Sequence, residues 1–300
     1  MKSHSIEFVP SFFQFIFIPL SSDNEIQFLQ WALPRMGYSW PGFRKPRGQV
    51  LKRIRSRMHE LSLSGGYEEY KAYLEEHPAE WNHLDRLCNV TISKFFRDRK
   101  LWNFLRDELL PGQLQGSHAG TFNIWSAGCC NGEEPYSIAI IIEQLSKEIP
   151  AGLDISILAT DRDPKVLKRA RKGRFPAGAL KECTDSERIL YFQNSETTDG
   201  DYTIKEHLTR HIEFEQRDLT KSLPDRVFDL VFCRNLVFTY FTKERQQEFL
   251  IRLRPKLKPG CHLIIGSNED LPVINWLEKA SNTHPVFRVR SDREHDTNYL

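Results

Sequence analysis

From about residue 100 onward, runs that suit β-strands alternate with runs that suit α-helices. The predicted strands are residues 122–126, 154–160, 212–216, 227–233 and 262–266, and the predicted helices between them are residues 134–148, 164–172 and 243–257. This alternation indicates βαβ units and a mostly parallel sheet. Two of the runs, ISILAT and FDLVFC, are nearly all apolar, as expected of strands that helices cover on both faces. We therefore predict an α/β fold with a doubly wound sheet.

The segment before this alternation, residues 23–90, is predicted to form a small all-helical domain. Asp23 is placed to cap a helix that Pro34 ends, and residues 49–62 place apolar side chains three and four positions apart. Between these two helices we predict a loop rich in proline, glycine and aromatic residues. Two shorter helices are predicted at residues 67–76 and 81–87.

One segment inside the α/β part interrupts the alternation. Residues 173–211 hold two short β-like pieces, 189–193 and 201–204, around a polar turn. We predict an inserted β-hairpin subdomain there. The α/β domain then spans residues 91–300, and residues 1–22 form an N-terminal extension.

Composition and net charge indicate the class of protein but do not indicate a binding partner. Of 300 residues, 40% are hydrophobic and 27% charged, with a formal net charge of +2, which is typical of an ordinary globular chain. The six cysteines form no C-x-x-C pair and no histidines have zinc-ligand spacing, so we expect reduced thiols, a cytoplasmic protein and no metal site. The apolar run at residues 12–20 is shorter than the roughly 20 residues of a bilayer span and precedes no A-x-A cleavage site. We expect neither membrane insertion nor secretion.

A glycine-containing turn follows the first predicted strand. In AGCCNGEEP, Gly128 and Gly132 allow the backbone to approach a ligand closely, and Glu133 and Glu134 open the next helix. Two carboxylates at a helix N-terminus repel a phosphate and suit a cationic ligand. S-adenosylmethionine carries an amine and a sulfonium, and the glycine spacing is not the G-x-G-x-x-G of dinucleotide sites. An ordinary strand-to-helix turn is the alternative.

Polar side chains also follow the next three strands, at the sheet edge where doubly wound folds bind ligands. Asp161 is placed to accept hydrogen bonds from ribose hydroxyls. Asp218 can reach an adenine amine or serve as a turn aspartate. Arg234 and Asn235 can line a cleft, with helix capping by Asn235 as the alternative.

Five stretches together resemble one family. They are VTISKFFRD, WSAGCCNGEEPYSIAI, ILATDRDPKVLKRARKG, FDLVFCRNLVFTYF and LKPGCHLIIGSNEDLP, and the resemblance covers roughly residues 40–272. In this order and spacing they are similar to the CheR-type chemotaxis receptor methyltransferases. The resemblance implies a class I, Rossmann-like methyltransferase that uses S-adenosylmethionine and releases S-adenosylhomocysteine. It also implies methyl ester formation on glutamate side chains of a chemoreceptor-like protein.

The same resemblance implies the cofactor contacts residue by residue. Thr91, Ser93 and Arg97 match three polar positions that touch the cofactor, although Thr91 stands where the family usually has Asn. Glu133 or Glu134 is expected at the amino-acid portion. The other expected contacts are Gly128 in the glycine turn, Asp161 at the ribose, Asp218 and Leu219 beside the adenine where the family has Asn-Leu, and Asn235 and Leu236 after the fourth strand.

Arg234 and Tyr240 are the predicted catalytic residues. Tyr240 matches the family's tyrosine beside the transferred methyl, but one extra residue separates it from Asn235. A glutamate side chain has a reference pKa of about 4.3, so it is already a carboxylate at neutral pH and needs alignment rather than a general base. We expect Arg234 and Tyr240 to steer that carboxylate without proton transfer.

A basic stretch at residues 44–57 is predicted to meet the substrate. It contains no acidic residue and carries the cations Arg44, Lys45, Arg47, Lys52, Arg53, Arg55 and Arg57. The resemblance implies that this helix faces acidic receptor helices, and such a patch raises encounter rates. A nucleic acid or a merely solvated face are the alternatives, and without interleaved aromatics we expect no stable nucleic-acid partner. The insert at 173–211 stands where some family members bind a receptor tail by strand addition.

Two other functions stay open on the sequence alone. The first is a methyltransferase of the same fold that acts on another protein group, a small molecule or RNA. The second is a non-catalytic module that holds the cofactor or a receptor. Both remain because a shared fold supports the cofactor better than the substrate.

Overall fold

The computed structural model describes residues 22–117, 120–194 and 200–290. The predicted N-terminal extension, with its apolar run, lies outside the described residues apart from Ser22. None of the described helices is long and apolar enough to cross a bilayer. All six cysteines are described, and each is a buried free thiol.

Five helices form the described part of the N-terminal region: α1 (Ser22–Arg35), α2 (Trp40–Phe43), α3 (Arg47–Glu60), α4 (Gly66–Glu76) and α5 (Pro78–Leu87). Asp23 lies in the first turn of α1 rather than at its cap, and the helix runs one residue past Pro34. Buried Leu29 and Leu33 hold this end of α1 in the core, which outweighs the single hydrogen bond that a proline cannot donate. The segment predicted as a loop contains the short helix α2.

The rest of the described chain alternates between helices and strands. In chain order the elements are α6 (Arg99–Phe104), α7 (Leu110–Gln115), β1 (Gly120–Ala127), α8 (Glu133–Gln144), β2 (Leu153–Asp161), α9 (Pro164–Lys172), β3 (Arg174–Pro176), α10 (Asp185–Tyr191), β4 (Phe192–Asn194), β5 (Asp201–Ile204), β6 (Ile212–Gln216), β7 (Phe228–Phe232), α11 (Val237–Tyr240), α12 (Lys243–Leu253), β8 (Leu257–Ile264), β9 (Leu277–Lys279) and β10 (Val286–Val289). A π-helical turn, Leu105–Leu109, joins α6 to α7. The five predicted strands and the three predicted helices between them are present, but the strand predicted at 262–266 begins earlier and ends at Ile264, and α8 and α12 are shorter than predicted.

The main sheet has seven strands in the order β6-β2-β1-β7-β8-β10-β9. The first five in this order are parallel, and β10 runs antiparallel to both β8 and β9. The direction of winding changes between β1 and β7, which is where a doubly wound sheet opens a ligand crevice. The doubly wound, mostly parallel sheet is therefore confirmed. We did not predict β9 and β10, because strands of three and four residues carry little periodicity.

The insert contains more than the predicted hairpin. β3, β5 and β4 form a separate three-stranded antiparallel sheet. The predicted strand at 189–193 is wrong at its start, because α10 runs through Tyr191. A capping box causes this: the Thr184 side chain accepts the backbone N–H of Glu187, and the Glu187 side chain accepts that of Thr184. The sequence T-D-S-E at this point is a capping-box pattern, which indicates the start of a helix.

The apolar core covers both faces of the main sheet. One cluster joins the helical region to one face and includes Phe28, Tyr70, Trp125, Val231 and Phe249. A second cluster packs the π-helical turn, α8 and the insert against the other face. The helical region therefore shares its core with the α/β part.

Candidate active site

A cleft of about 1100 Å³ opens at the carboxyl ends of the parallel strands. Strand pairing sets Ala127 of β1 level with Thr160 of β2, so the residues after both strands reach the same edge. Every predicted cofactor or catalytic residue lines this cleft except Glu133: Thr91, Ser93, Arg97, Gly128, Glu134, Asp161, Asp218, Leu219, Arg234, Asn235, Leu236 and Tyr240.

The glycine turn after β1 forms the floor of the cleft. Gly128 has φ +77°, and a Cβ at this position would lie 2.6 Å from Cδ2 of Leu236. The backbone N–H groups of Gly128 and Cys129 both donate to the carbonyl of Thr160, at 2.8 and 2.9 Å. The positive φ therefore favours glycine in this turn, and a larger residue would also displace the Leu236 side chain.

Asp161 is fixed by the backbone around it. One carboxylate oxygen accepts the N–H of Cys130 at 3.0 Å, and the other accepts that of Asp163 at 2.9 Å. Burial raises the pKa of Asp161, and these two hydrogen bonds oppose the rise. Asp163 caps α9 separately by accepting the N–H of Lys165. Asp161 is thus the aspartate of this turn that faces the cleft.

Glu134, not Glu133, is the acidic residue of α8 that lines the cleft. Its carboxylate accepts a hydrogen bond from the Ser126 hydroxyl at 2.7 Å and forms an ion pair with the Arg234 guanidinium at 3.3 Å. Burial raises the pKa of Glu134, while Arg234 and Ser126 lower it. Glu133 is 3% exposed, and its Oε2 atom has no hydrogen-bond partner among the described residues.

Arg234 is held inside a network of protein groups. Besides Glu134, its guanidinium donates to Asp98 at 2.7 Å and to the carbonyl of Arg97 at 2.7 Å. It also lies 5.6 Å from the ring centre of Trp102, as a cation–π contact. Its side chain is only 3% exposed. Two of its nitrogens are therefore committed to neighbouring protein groups.

The segment from Asn235 to Tyr240 is anchored by a carboxylate that the sequence analysis missed. Glu269 accepts the backbone N–H of Asn235 at 2.9 Å, the N–H of Gly266 and the hydroxyl of Thr239. Glu269 follows β8 and is 7% exposed. The rule that polar residues after strands build the site, applied to the fifth predicted strand, would have pointed to this region.

Tyr240 lies between the two parts of the molecule. Its ring meets that of Phe43 edge to face at 5.0 Å, and its carbonyl accepts the N–H of Ser39 at 2.7 Å. Burial raises the pKa of the Tyr240 hydroxyl. The cleft wall beside Tyr240 therefore comes from the helical region.

The basic stretch is only partly available to a partner. Arg55 pairs with Glu25 at 2.5 Å, Arg57 pairs with Glu80 at 2.9 Å, and Arg53 donates to the carbonyls of Leu87 and Asn89. Within the described residues, no carboxylate pairs with Arg44, Lys45, Arg47 or Lys52, and all four are exposed. The cations left for a partner are therefore those four.

The comparison with known families decides the identity. The family model described as "CheR methyltransferase, SAM binding domain" matches residues 91–286. The chain belongs to the CheR methyltransferase family.

Relatives in this family match most of the chain. The chemotaxis protein methyltransferase of Listeria monocytogenes is 32% identical over 68% of this chain and 75% of its own length. A probable chemotaxis protein methyltransferase of Rhizobium etli is 33% identical over 73% of this chain and 83% of its own. The chemotaxis protein methyltransferase of Escherichia coli K12 is 30% identical over 75% of this chain and 77% of its own.

As a CheR family member, the protein is an S-adenosylmethionine-dependent methyltransferase with S-adenosylmethionine as its cofactor. The chemistry of the cleft fits this group. Glu134 and Asp161 present carboxylates to a ligand with cationic and hydroxyl groups, and Leu219 and Leu236 present apolar surface. Gly128 leaves room where a Cβ would narrow the floor.

Proposed function

We propose that this CheR family protein forms methyl esters on glutamate side chains of an acidic, chemoreceptor-like helical protein. One observation carries the proposal: the described residues of the cleft offer the expected cofactor contacts but include no histidine, the side chain that most often serves as a general base. An acceptor that already carries negative charge, such as a carboxylate, needs no such group. An amine or hydroxyl acceptor would need one.

The titratable groups of the cleft support this choice of acceptor. No histidine is found among the described residues that line it. Burial raises the pKa of Cys130 and of Tyr240, which keeps both groups protonated at neutral pH. The carboxylates of Asp161 and Glu134 are occupied by backbone N–H groups, by Ser126 and by Arg234. These two groups are therefore better suited to holding a ligand than to removing a proton.

The cofactor supplies a methyl group on a sulfonium centre. We propose that Asp161 holds the ribose hydroxyls, Glu134 holds the amino-acid end, and Leu219 and Leu236 pack on the adenine side. Thr91, Ser93, Arg97, Gly128, Asp218 and Asn235 complete the proposed contacts. Tyr240, with Phe43 behind it, orients the substrate carboxylate toward the methyl carbon and helps to exclude water.

Arg234 has a different proposed role from the one suggested by the sequence. Its guanidinium already pairs with Glu134 and Asp98 and binds the carbonyl of Arg97. We propose that it holds these groups in position and does not itself steer the substrate carboxylate. Tyr240 is then the proposed catalytic residue.

The exposed cations Arg44, Lys45, Arg47 and Lys52, which no carboxylate of the described residues pairs with, are the proposed contact for the acidic substrate helix. Arg44 and Lys45 follow directly on Phe43, which lines the cleft. They can therefore attract acidic side chains to the mouth of the site.

The decisive test uses S-adenosylmethionine with a radioactive methyl group and the cytoplasmic helical fragment of a chemoreceptor. We expect methyl incorporation that mild base releases as methanol, because esters are base-labile. A fragment with glutamines at the acceptor glutamates is the control and should stay unlabelled. Base-stable label would show another acceptor group, and binding of S-adenosylhomocysteine without any transfer would show a non-catalytic module.

A second test addresses the docking surface. Replacing Arg44, Lys45 and Lys52 by glutamine should raise KM for the fragment roughly tenfold, since each exposed pair contributes about 0.2–1 kcal/mol. The affinity for S-adenosylhomocysteine should not change. Arg226→Gln, which removes an exposed arginine paired with Glu213 on β6, is the matched control. An unchanged KM in the triple variant would remove this surface from the proposal.

A further inference from the structure

We infer that Arg162 is a positioning residue that couples the helical region to the cofactor-binding loop. It follows Asp161 directly, at the end of β2, and its own side chain lines the cleft. Within the described part of the chain, its side-chain hydrogen bonds all go to residues of the helical region and to Asn89 just after it. The inference uses the proposed contact between Asp161 and the ribose.

The guanidinium of Arg162 is used almost completely. Nη1 donates to the Tyr38 hydroxyl at 2.9 Å and to Oδ2 of Asp85 at 2.8 Å, and Nη2 donates to the carbonyl of Asp85 at 2.6 Å. Nε donates to the side-chain oxygen of Asn89. The Tyr38 hydroxyl in turn donates to Oδ1 of Asp85 at 2.7 Å. Hydrogen bonds to charged groups of this kind are roughly twice as strong as neutral ones.

The backbone around Arg162 is hydrogen-bonded to the loops on the cofactor side of the cleft, while the Arg162 side chain is hydrogen-bonded to the helical region. The Asp161 carboxylate is held by the N–H groups of Cys130 and Asp163. The Asp161 carbonyl accepts the N–H of Arg217 at 2.9 Å, and the Arg162 carbonyl accepts the Gln216 side chain at 3.2 Å. A shift of α5 against the sheet would therefore be transmitted through Arg162 to the carboxylate of Asp161.

Coupling of this kind is reciprocal. If the position of α5 changes the affinity of the cleft for the cofactor, then the bound cofactor must stabilise the position of α5 to the same extent. The helical region also forms a wall of the cleft through Tyr38 and Phe43. Cofactor binding would thus fix the position of the cleft wall against which the substrate side chain is placed.

The key variant is Asp85→Asn, because Asp85 does not line the cleft while its partner Arg162 does. The substitution keeps the size of the side chain and removes the charge that Arg162 binds. We expect calorimetry to show about fivefold weaker binding of S-adenosylhomocysteine in Asp85→Asn, and a larger loss in Arg162→Met. In the Arg162→Met background, Asp85→Asn should cause no further loss, since the path between them is already cut.

A second measurement separates coupling from a general loss of stability. In the wild-type protein, S-adenosylhomocysteine should slow amide hydrogen exchange in α5, and in Arg162→Met this protection should be absent at saturating ligand. Arg226→Met, which breaks the exposed pair with Glu213, is the matched control and should keep both the affinity and the protection.

The inference is overturned if Asp85→Asn binds S-adenosylhomocysteine as tightly as the wild type, or if its effect simply adds to that of Arg162→Met. Asp161→Ala tests the ribose contact by itself. If Asp161→Ala keeps full affinity, the ribose assignment fails, while the response of Asp85→Asn still decides whether the coupling exists.

Discussion

Four of the five non-glycine residues with positive φ in the described chain lie at the cleft or directly beside residues that line it. They are Phe96 at 49°, Asp98 at 67°, Cys130 at 53° and Asn235 at 54°. Such conformations persist only when the surroundings impose them, and each is held here by packing or by a nearby hydrogen bond. Phe96 is fully buried, and Asn235 is fixed by Glu269. At the scale of single residues, contacts within the protein therefore fix the backbone conformation of the site.

Gly128 gives a test at this scale. An alanine would have to adopt φ +77° with its Cβ 2.6 Å from Leu236, so Gly128→Ala should lose about 1–3 kcal/mol of unfolding free energy and bind S-adenosylhomocysteine more weakly. Urea unfolding and calorimetry measure the two effects. Gly112→Ala is the control: that glycine is helical with open space around it, so alanine should add about 0.5–1 kcal/mol. Unchanged stability and affinity in Gly128→Ala would contradict the tight turn.

His262 predicts a pH dependence of stability. Burial, with a smaller contribution from Arg288, lowers its pKa from 6.5 to about 4. Between pH 6.5 and pH 4, His262 is protonated in the unfolded chain but stays neutral in the folded protein. The free energy of unfolding should therefore fall by up to about 3 kcal/mol as the pH falls from 6.5 to 4. His262→Gln should make the unfolding free energy less steep in this window. The exposed His207→Gln is the control, and equal slopes in wild type and His262→Gln would disprove the assignment.

At the scale of elements, the cleft is built where loops from distant parts of the chain meet. The turn after β7 carries Arg234 and Asn235, and it is held from the segment after β8 by Glu269. α11 continues from that turn and carries Thr239, whose hydroxyl also donates to Glu269. Glu269 thus accepts hydrogen bonds from two backbone N–H groups and one hydroxyl that would otherwise be buried without an acceptor.

Glu269→Gln tests this arrangement. The amide keeps one oxygen as an acceptor but replaces the other with an NH₂ donor. This NH₂ group would face either the N–H groups of Asn235 and Gly266 or the hydroxyl of Thr239. We expect a loss of about 1–3 kcal/mol in unfolding free energy and weaker S-adenosylhomocysteine binding. The neighbouring Asp270→Asn is the matched control, since Asp270 is exposed. If the two variants behave alike, Glu269 has no special role in holding the turn.

At the scale of the whole molecule, the helical region and the sheet share one apolar cluster. Phe28 and Leu74 of the helices belong to the same cluster as Val231 and Leu263 of the sheet. Backbone hydrogen bonds from Ser39 to Tyr240 and from Thr242 to Gly37 add to this contact. A boundary at residue 90 therefore separates sequence segments that fold onto a common core.

This common core predicts cooperative unfolding. Heating should give a single calorimetric transition whose van't Hoff and calorimetric enthalpies agree. S-adenosylhomocysteine should raise its midpoint without splitting it. Two resolved transitions, or a midpoint for α1–α5 that the ligand leaves unmoved, would show that the helical region unfolds by itself.

Patterns within short stretches of sequence account for much of this protein. Apolar runs such as ISILAT and FDLVFC predicted the central parallel strands, because a strand covered on both faces must be apolar throughout. Polar residues directly after those strands predicted most of the cleft, because parallel strands bring their carboxyl ends to one edge. The observed cleft contains Asp161, Asp218 and Asn235 as a result.

Other features depend on contacts between residues far apart in the sequence, and only the tertiary structure decides them. The choice between Glu133 and Glu134 follows from how α8 is rotated against Ser126 and Arg234. The availability of each cation in the basic stretch depends on whether α1 or α5 brings a carboxylate to it. Arg162 is an unremarkable turn residue in the sequence, and its partner Asp85 is 77 positions away. Side-chain pairing at such distances is set by packing, which periodicity within one segment does not record.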